Sequence, residues 1–452
     1  MIIDQSIFKA YDFRGIYPTQ LNEEIMERIG RAFVEFIGEK KIIVGVDTRL
    51  SSPALMKAFI AGATAQGADI VSLGTVSTDC LYFASGKYNL AGVMITASHN
   101  PKEFNGVKFC RRAAEPIGQD TGLMEIKELV LNDQFESTPE RGQVEEKNDI
   151  LVEFREHCHQ FIQKEKIKPL KIVADAGNGM AGKIVPAIFD GLPCQIIPLF
   201  FELNGDFPNH HPSPIDKDNN RFLVAKVIEE KADLGLAFDG DADRVFFIDE
   251  RGDMVDSSFI TAMIAKKLLE KNPGAKIIYT VTSSRAVPEI ARQAGGEPIM
   301  TRVGHVFIKQ LMKESKAIFA GEHSGHYYFI DNYRADSGVI AALIVIQLLS
   351  ESGKPMSELM KEFELYYRIE ETNSEVADKG KAMARLKEKY NKNLAHELDG
   401  LTFEFDDWWF NVRPSNTESL LRLNLEAKKR EVMEEKAKEV LAIIRQELVK
   451  IK

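Results

Sequence analysis

Residues 41–59, KIIVGVDTRLSSPALMKAF, run from a β-rich stretch through a small polar loop into a helical pattern. The same order recurs at 171–189, KIVADAGNGMAGKIVPAIF, and at 276–294, KIIYTVTSSRAVPEIARQA. A second strand follows each unit, at DIVSLG from 69, CQIIPL from 194 and EPIMTR from 297. A third follows that, at AGVMIT from 91, ADLGLAF from 232 and KAIFAG from 316. Short continuous apolar strands alternating with helices predict α/β layering with the sheet covered on both faces. A repeated unit of this size predicts three similar α/β domains in tandem.

The tail reads differently. From Tyr367 the chain turns polar, RIEETNSEVADKGKA, a composition expected of a linker and boundary. LTFEF and LLRLNLEA then alternate with period two, placing Leu421, Leu423 and Leu425 on one face. A helix is predicted from Arg430, with Val432, Ala437, Val440, Leu441, Ile444 and Leu448 at helical spacing. This predicts a small C-terminal α+β domain, and boundaries of 1–148, 149–252, 253–366 and 367–452 for the four parts.

The chain has 452 residues, too many for one hydrophobic core. Its 58 basic and 68 acidic side chains give a formal net charge of −10, which argues against a general nucleic-acid or anionic-membrane binder. The cysteines Cys80, Cys110, Cys158 and Cys194 form no CxxC pair and are expected to be free thiols in a reducing cytoplasm. The N-terminal MIIDQSIFKAYDFRG lacks the apolar core of a signal peptide. The longest apolar stretch, Val339 to Ile346 extended by Leu348 and Leu349, is too short to span a bilayer and is expected to be a core helix capped by Asp336 or Ser337.

The third strands of the three repeats end in SHNP, DGDADR and EHSGH, the richest polar clusters in the chain. Ligands in open α/β sheets sit beyond the carboxyl ends of strands, so these loops are expected to converge on one cleft. In DGDADR, Asp239, Asp241 and Asp243 stand at alternate positions, where three carboxylates can close on one hard cation. An EF-hand is excluded, because Arg244 holds the position that needs glycine and the flanks read as strands. Three carboxylates leave positions that suit Mg²⁺ shared with a phosphate oxygen. Ser98 beside His99 suggests a hydrolase triad, but no G-x-S-x-G elbow is present. A serine facing a magnesium site is instead suited to carry a phosphoryl group. Lys108 is a candidate base if nearby positive charge lowers its pKa. Arg413 in RPSNTE, between the two C-terminal strands, offers a fork-shaped guanidinium for a phosphate dianion.

TASHNPKEFNGVKF, DGDADR, GEHSGH and RPSNTE, in this order and spacing over the whole chain, closely resemble the four signature loops of the α-D-phosphohexomutases. RPSNTE and GEHSGHYYF are more similar to the phosphomannomutase/phosphoglucomutase branch than to the phosphoglucosamine mutases, whose last loop usually carries glycine where Asn416 stands. The resemblance implies three similar α/β domains with mixed sheets and a fourth like the TATA-binding protein, around a central cleft. It implies reversible interconversion of hexose 1-phosphate and hexose 6-phosphate through a phosphoserine and a hexose 1,6-bisphosphate. A phosphoglucosamine mutase and a catalytically silent sugar-phosphate-binding paralogue are the alternatives. Ser98 is then the phosphorylated residue, flanked by His99 and Asn100, with Lys108 a general base. Asp239, Asp241 and Asp243, with the serine phosphate, would hold one Mg²⁺, and Arg244 would contact the transferring group. Tyr11 and Arg14 would reach the same cleft. Glu322 and Ser324 would read sugar hydroxyls, His305 would assist, and His326 would share the acid–base work. Arg413, Ser415, Asn416 and Thr417 would clamp the non-reacting phosphate. The expected partner is a small phosphosugar, with no nucleic acid and no membrane. Where some relatives carry a phosphate-contacting lysine, this chain has Thr282, with Arg285 nearby.

Overall fold

Each of the nine strands read from the repeats is a strand in the computed structural model, which describes residues 3–135, 138, 140–415 and 420–447. The first repeat builds a sheet in the order Phe13–Ile16, Phe104–Arg111, Ala91–Ile95, Lys41–Val46, Asp69–Thr75, Val144–Glu146. Lys41–Val46 lies parallel to both its neighbours. Ile42 to Val46 are all buried, which explains their unbroken apolar run. Phe104–Arg111 returns antiparallel beside Ala91–Ile95, so the sheet is mixed.

One face is covered by helices Glu23–Ile37 and Ser52–Ala65. Asn22 caps the first, its side chain accepting from the Ile25 N–H at 3.0 Å. The two helices meet at glycines: a Cβ on Gly30 would lie 2.3 Å from the Phe59 carbonyl oxygen, and one on Gly62 1.9 Å from that of Glu27. No larger residue fits either crossing.

The second repeat forms a sheet ordered Met254–Val255, Val245–Ile248, Leu234–Phe238, Lys171–Asp175, Gln195–Leu199. Leu234–Phe238 runs parallel to Lys171–Asp175 and antiparallel to Val245–Ile248. In the third repeat, Lys276–Thr280 and Glu297–Thr301 pair in parallel. Val339–Ile346 lies within the helix Gly338–Ser352, where it is buried. Ser337 caps that helix by accepting from the Ile340 N–H at 3.2 Å, while Asp336 is engaged elsewhere.

The C-terminal domain is an antiparallel sheet ordered Tyr367–Arg368, Leu420–Ala427, Trp408–Pro414, Leu401–Glu404, Leu394–His396. Leu421, Leu423 and Leu425 are buried in one core with Phe410, Val412 and the helix Arg430–Ile444. Leu448 lies outside the described residues. The polar stretch after Tyr367 is not a linker throughout. Thr372–Glu375 pairs antiparallel with Leu420–Ala427, and Lys379–Lys389 is a helix. In Thr372–Glu375 only Ser374 is buried, so a polar composition is compatible with an ordered strand.

By contact density the chain forms two compact units. One comprises Met1–Ser257, Met312–Phe319 and Ser324–Leu359; the other Ser258–Leu311, Ala320–His323 and Met360–Lys452. The four cysteines are free thiols. Among the described residues, no single helix is long and apolar enough to cross a membrane.

Candidate active site

In the first unit, the strand Ala91–Ile95 delivers Thr96 to Pro101 at its carboxyl end. Ser98 is buried and sits in the left-handed region with φ +50°, a conformation that costs a non-glycine residue energy and persists only when its surroundings hold it. Its Oγ donates to Asp239 Oδ2 at 2.7 Å and lies 3.2 Å from His99 Nδ1. Burial, then Arg244 and Arg14, push the His99 imidazole well below the usual histidine range.

Asp239, Asp241 and Asp243 occupy the turn between Leu234–Phe238 and Val245–Ile248. All three are buried, and each offers an oxygen within 4.8 Å of the others. Asp241 Oδ1 and Asp243 Oδ1 have no hydrogen-bond partner. A compact set of hard oxygen donors, with two buried oxygens left over, fits a divalent cation such as Mg²⁺. Burial, with Asp241 and Asp243 beside it, raises the Asp239 carboxyl well above the ordinary value. For Asp241, burial is overcome by Lys108 and by a hydrogen bond from Thr78, which together hold it far below the ordinary value. The Thr78 hydroxyl donates to Asp241 Oδ2 at 2.6 Å, and the Thr78 N–H donates to the Asp241 carbonyl at 3.1 Å.

Lys108 Nζ bridges Asp241 Oδ2 at 2.8 Å and Asp243 Oδ2 at 2.7 Å. Burial opposes the ammonium, but these two carboxylates carry its pKa well above the ordinary lysine value. A base needs the opposite direction, which a cation bound between Asp241 and Asp243 would favour by taking up the charge that now holds the ammonium. Arg244 stands over the same cluster, its Nε 3.5 Å from Asp239 Oδ2 and 3.9 Å from Asp243 Oδ1. Arg14 donates from Nη1 to the Ala97 carbonyl at 3.1 Å and to Asn100 Oδ1 at 2.5 Å, and is ion-paired with Asp12 at 2.7 Å. Tyr11 is half-buried three residues before it. His326 Nδ1 lies 2.8 Å from Asp336 Oδ2 and 3.9 Å from Asp243 Oδ1. The first unit therefore brings together Ser98, His99, Lys108, Arg14, the three aspartates, Arg244 and His326.

The other predicted residues divide between the units. Ser324 is half-buried in the first, while His305 and Glu322 are in the second. His305 opens the helix His305–Ser315, and Glu322 Oε1 accepts from the Gly304 N–H at 3.1 Å. Arg413 is ion-paired with Glu371 at 3.2 Å, and Ser415 is buried. Asn416 and Thr417 lie outside the described residues. Thr282 is buried, and Arg285 is spoken for: its guanidinium reaches Glu404 at 3.3 Å and the Phe405 carbonyl at 3.3 Å.

Several residues at the site carry no obvious signal in the sequence. Asp47 and Arg49 follow the first strand of the first repeat, in the loop VDTR, whereas the polar wealth lies after the third strands. Arg49 is buried and donates to the carbonyls of Ser98, Asn100, Pro101 and Phe104 at 2.6–2.9 Å. Asp79 is buried at the start of the helix Thr78–Tyr88, accepting from Ser77 and, at 2.7 Å, from Ser337. Burial lifts its carboxyl to about 7 against those hydrogen bonds. Asp336 announces its role only through His326 and, in the second unit, Glu371 only through Arg413.

Four family models match the chain. They are described as the alpha/beta/alpha domains I, II and III of phosphoglucomutase/phosphomannomutase, over residues 5–137, 152–252 and 256–366, and the C-terminal domain, over residues 371–443. The chain is similar to a phosphomannomutase of Methanocaldococcus jannaschii, 38% identical over 447 residues that cover 98% of each chain. It is also similar to a phosphomannomutase of Escherichia coli K12, 38% identical over 432 residues, 93% of this chain and 94% of that one. A crystal structure of a phosphoglucomutase/phosphomannomutase family protein from Burkholderia thailandensis superposes with a TM-score of 0.89 at 31% identity, covering 98% of each chain.

Proposed function

The chain belongs to the phosphoglucomutase/phosphomannomutase family and is a hexose-phosphate mutase, and from that premise we propose that it exchanges phosphate between positions 1 and 6 of mannose, glucose or both through a phosphoserine at Ser98. The observation that carries this reading is the 2.7 Å contact of Ser98 Oγ with Asp239, inside a buried trio of carboxylates faced by Lys108 and Arg244. A phosphoryl carrier needs cationic partners and a cation site around its oxygen, and all are within this cluster.

In the proposed cycle, phosphoserine Ser98 meets a hexose 1-phosphate or 6-phosphate. The free sugar hydroxyl attacks phosphorus, the bond to Ser98 Oγ breaks, and the hydroxyl proton passes to a base. The product is a hexose 1,6-bisphosphate. After a half-turn of this intermediate, Ser98 Oγ gives up its proton and attacks the other phosphorus, the bond from that phosphorus to the sugar oxygen breaks, and the sugar oxygen is protonated as the isomer leaves. Asp239, Asp241 and Asp243, with the serine phosphate, would hold Mg²⁺, which when bound neutralises phosphate charge during transfer. Arg244 and Arg14 present guanidiniums to the transferring group. His326, with Asp336 against Nδ1, is set up to exchange a proton at Nε2. Lys108, paired with Asp241 and Asp243, would act as the base once those two carboxylates are engaged by Mg²⁺. Glu322, Ser324 and His305 are assigned to the sugar, and Arg413, Ser415, Asn416 and Thr417 to the non-reacting phosphate. On the boundaries 1–148, 149–252, 253–366 and 367–452, each domain contributes one of these parts. Free thiols support a reducing, cytoplasmic setting.

The test is mutase activity with mannose 1-phosphate and with glucose 1-phosphate, in Mg²⁺ and catalytic hexose 1,6-bisphosphate, for the native protein and Ser98→Ala. Native turnover lost in the variant supports the reading, and the ratio of kcat/KM values assigns the sugar. Undiminished isomer formation by Ser98→Ala refutes it.

A further inference from the structure

We infer that the Asp47–Arg49 pair is the positioning device of the phosphoryl carrier, gripping the backbone carbonyl of Ser98 directly and its N–H through Thr96, so that the pair sets where Oγ points. The inference rests on the reading of Ser98 as that carrier.

The contacts close a ring around one residue. Arg49 Nη2 donates to the Ser98 carbonyl at 2.7 Å. Arg49 Nε is ion-paired with Asp47 Oδ2 at 3.2 Å. The same carboxylate oxygen accepts from Thr96 Oγ1 at 2.7 Å, and Thr96 Oγ1 accepts from the Ser98 N–H at 2.9 Å. Both peptide groups of a residue at φ +50° are thus fixed by one ion pair. Such a backbone state needs this kind of over-determination to persist. The remaining guanidinium hydrogens extend the grip along the loop, to the carbonyls of Asn100 at 2.6 Å, Pro101 at 2.7 Å and Phe104 at 2.9 Å.

The pair is itself seated rigidly. The Arg49 side chain is 0% exposed and that of Asp47 1%. The Arg49 guanidinium lies 5.1 Å from the centroid of the Phe207 ring. That ring is brought in by a backbone-to-backbone contact. A Cβ on Gly205 would lie 2.5 Å from the Leu50 nitrogen and 2.6 Å from the Thr48 carbonyl oxygen. Burying a guanidinium and a carboxylate is costly, and a loop that only turned the chain could leave its carbonyls to water. In-line transfer, by contrast, depends on the angle and distance of one oxygen, and a displacement near 1 Å can cost roughly a hundredfold.

The test compares Thr96→Val, Thr96→Ser and Arg49→Lys in the full-length protein, with Mg²⁺, hexose 1-phosphate and catalytic hexose 1,6-bisphosphate. Thermal melting gives the folded fraction, and kcat is expressed per folded molecule. Thr96→Val is nearly isosteric but loses the link between Asp47 and the Ser98 N–H, and is expected to lower kcat about tenfold. Arg49→Lys replaces the fork with a single ammonium and is expected to lower kcat roughly a hundredfold. KM should stay within about twofold in both, because neither residue is assigned a substrate contact. Thr96→Ser restores the hydroxyl and should restore kcat to within about threefold of native. A role in stability alone predicts a lower melting temperature with native kcat per folded molecule, and that result overturns the inference. So does a change confined to KM. Should Arg49→Lys fail to fold, Thr96→Val and its serine rescue decide. Ser98→Ala, measured alongside, separates the two readings. Full turnover there refutes the carrier itself. Lost turnover there, with kcat intact in Thr96→Val and Arg49→Lys, refutes only the positioning.

Discussion

Ser98 stands among Asp47, Arg49, Asp239, Asp241 and Asp243, every one of them 2% exposed or less. The Arg413 side chain is 16% exposed, much as Arg14 and Arg244 are beside Ser98, but its carboxylate partner is looser: Glu371 is 19% exposed. Glu371 also faces Arg422 at 3.5 Å and accepts from Asn424 at 2.9 Å. Arg413 and Arg422 are direct cross-strand partners, a like-charge pairing that needs a counter-charge. Burial, which opposes its charged form, is outweighed by Arg413, Asn424 and Arg422, so the Glu371 carboxyl is held low. On the roles proposed for them, the two regions answer different demands. A transferring oxygen must be fixed in direction, which takes buried, multiply bonded charges. A phosphate that is only held, and must be released so that the sugar can turn, needs charge with less constraint.

The comparison predicts a descending series of effects. Ser98→Ala should lower turnover at least about a thousandfold, since no other group stands in its place. Retained turnover would remove the distinction at its root. The next effect is on stability. The Asp79 carboxyl lies at about 7 in the folded protein, against a reference of 3.8. The native state therefore binds this proton more tightly than the unfolded chain does. The contribution of Asp79 to stability should be fully present below pH 4, fall on the order of 4 kcal/mol as pH rises to about 7, and level off above. The difference in thermal melting between native protein and Asp79→Asn should vary with pH between 4 and 8 by that amount; a difference independent of pH would remove Asp79 as a source.

Arg413→Ala comes third. Loss of a charge-assisted phosphate contact costs roughly 1.5–3 kcal/mol, so KM should rise about ten- to a hundredfold with kcat little changed. A fall in kcat at constant KM would place Arg413 with the transferring group instead and erase the contrast. Glu371→Gln is the smallest. It loosens the anchor of Arg413 but leaves the guanidinium, so KM should rise about threefold, in keeping with a partly exposed ion pair. A rise as large as that of Arg413→Ala would show the clamp to be as tightly determined as the Ser98 loop.

Lys41–Val46, Lys171–Asp175 and Leu234–Phe238 were legible because a buried strand imposes an unbroken apolar run, and the period-two leucines because one sheet face is covered. The acidic loop was legible because Asp239, Asp241 and Asp243 are crowded within five residues. Other features depend on long-range contact and leave no local trace. Arg49 reaches the loop some fifty residues on, and Asp79 meets Ser337 258 residues away. The charge state of Lys108 follows from Asp241 and Asp243, which the sequence places 133 and 135 residues later. The stretch after Tyr367 reads as a linker because strand and loop compositions converge when only one face of a short strand is covered. Whether Arg285 takes the place of a phosphate-contacting lysine is open in the sequence, which does not show its guanidinium against Glu404 and the Phe405 carbonyl.

The central claim is that Ser98 hands its phosphoryl group to the sugar. Protein phosphorylated at a single site, located by peptide mapping, can be mixed in Mg²⁺ with an excess of unlabelled hexose 1-phosphate and quenched within one turnover. The expected result is loss of one phosphoryl group from the Ser98 peptide matched by formation of one equivalent of hexose 1,6-bisphosphate. Bisphosphate or isomer formed while the Ser98 peptide stays unmodified throughout would contradict the account.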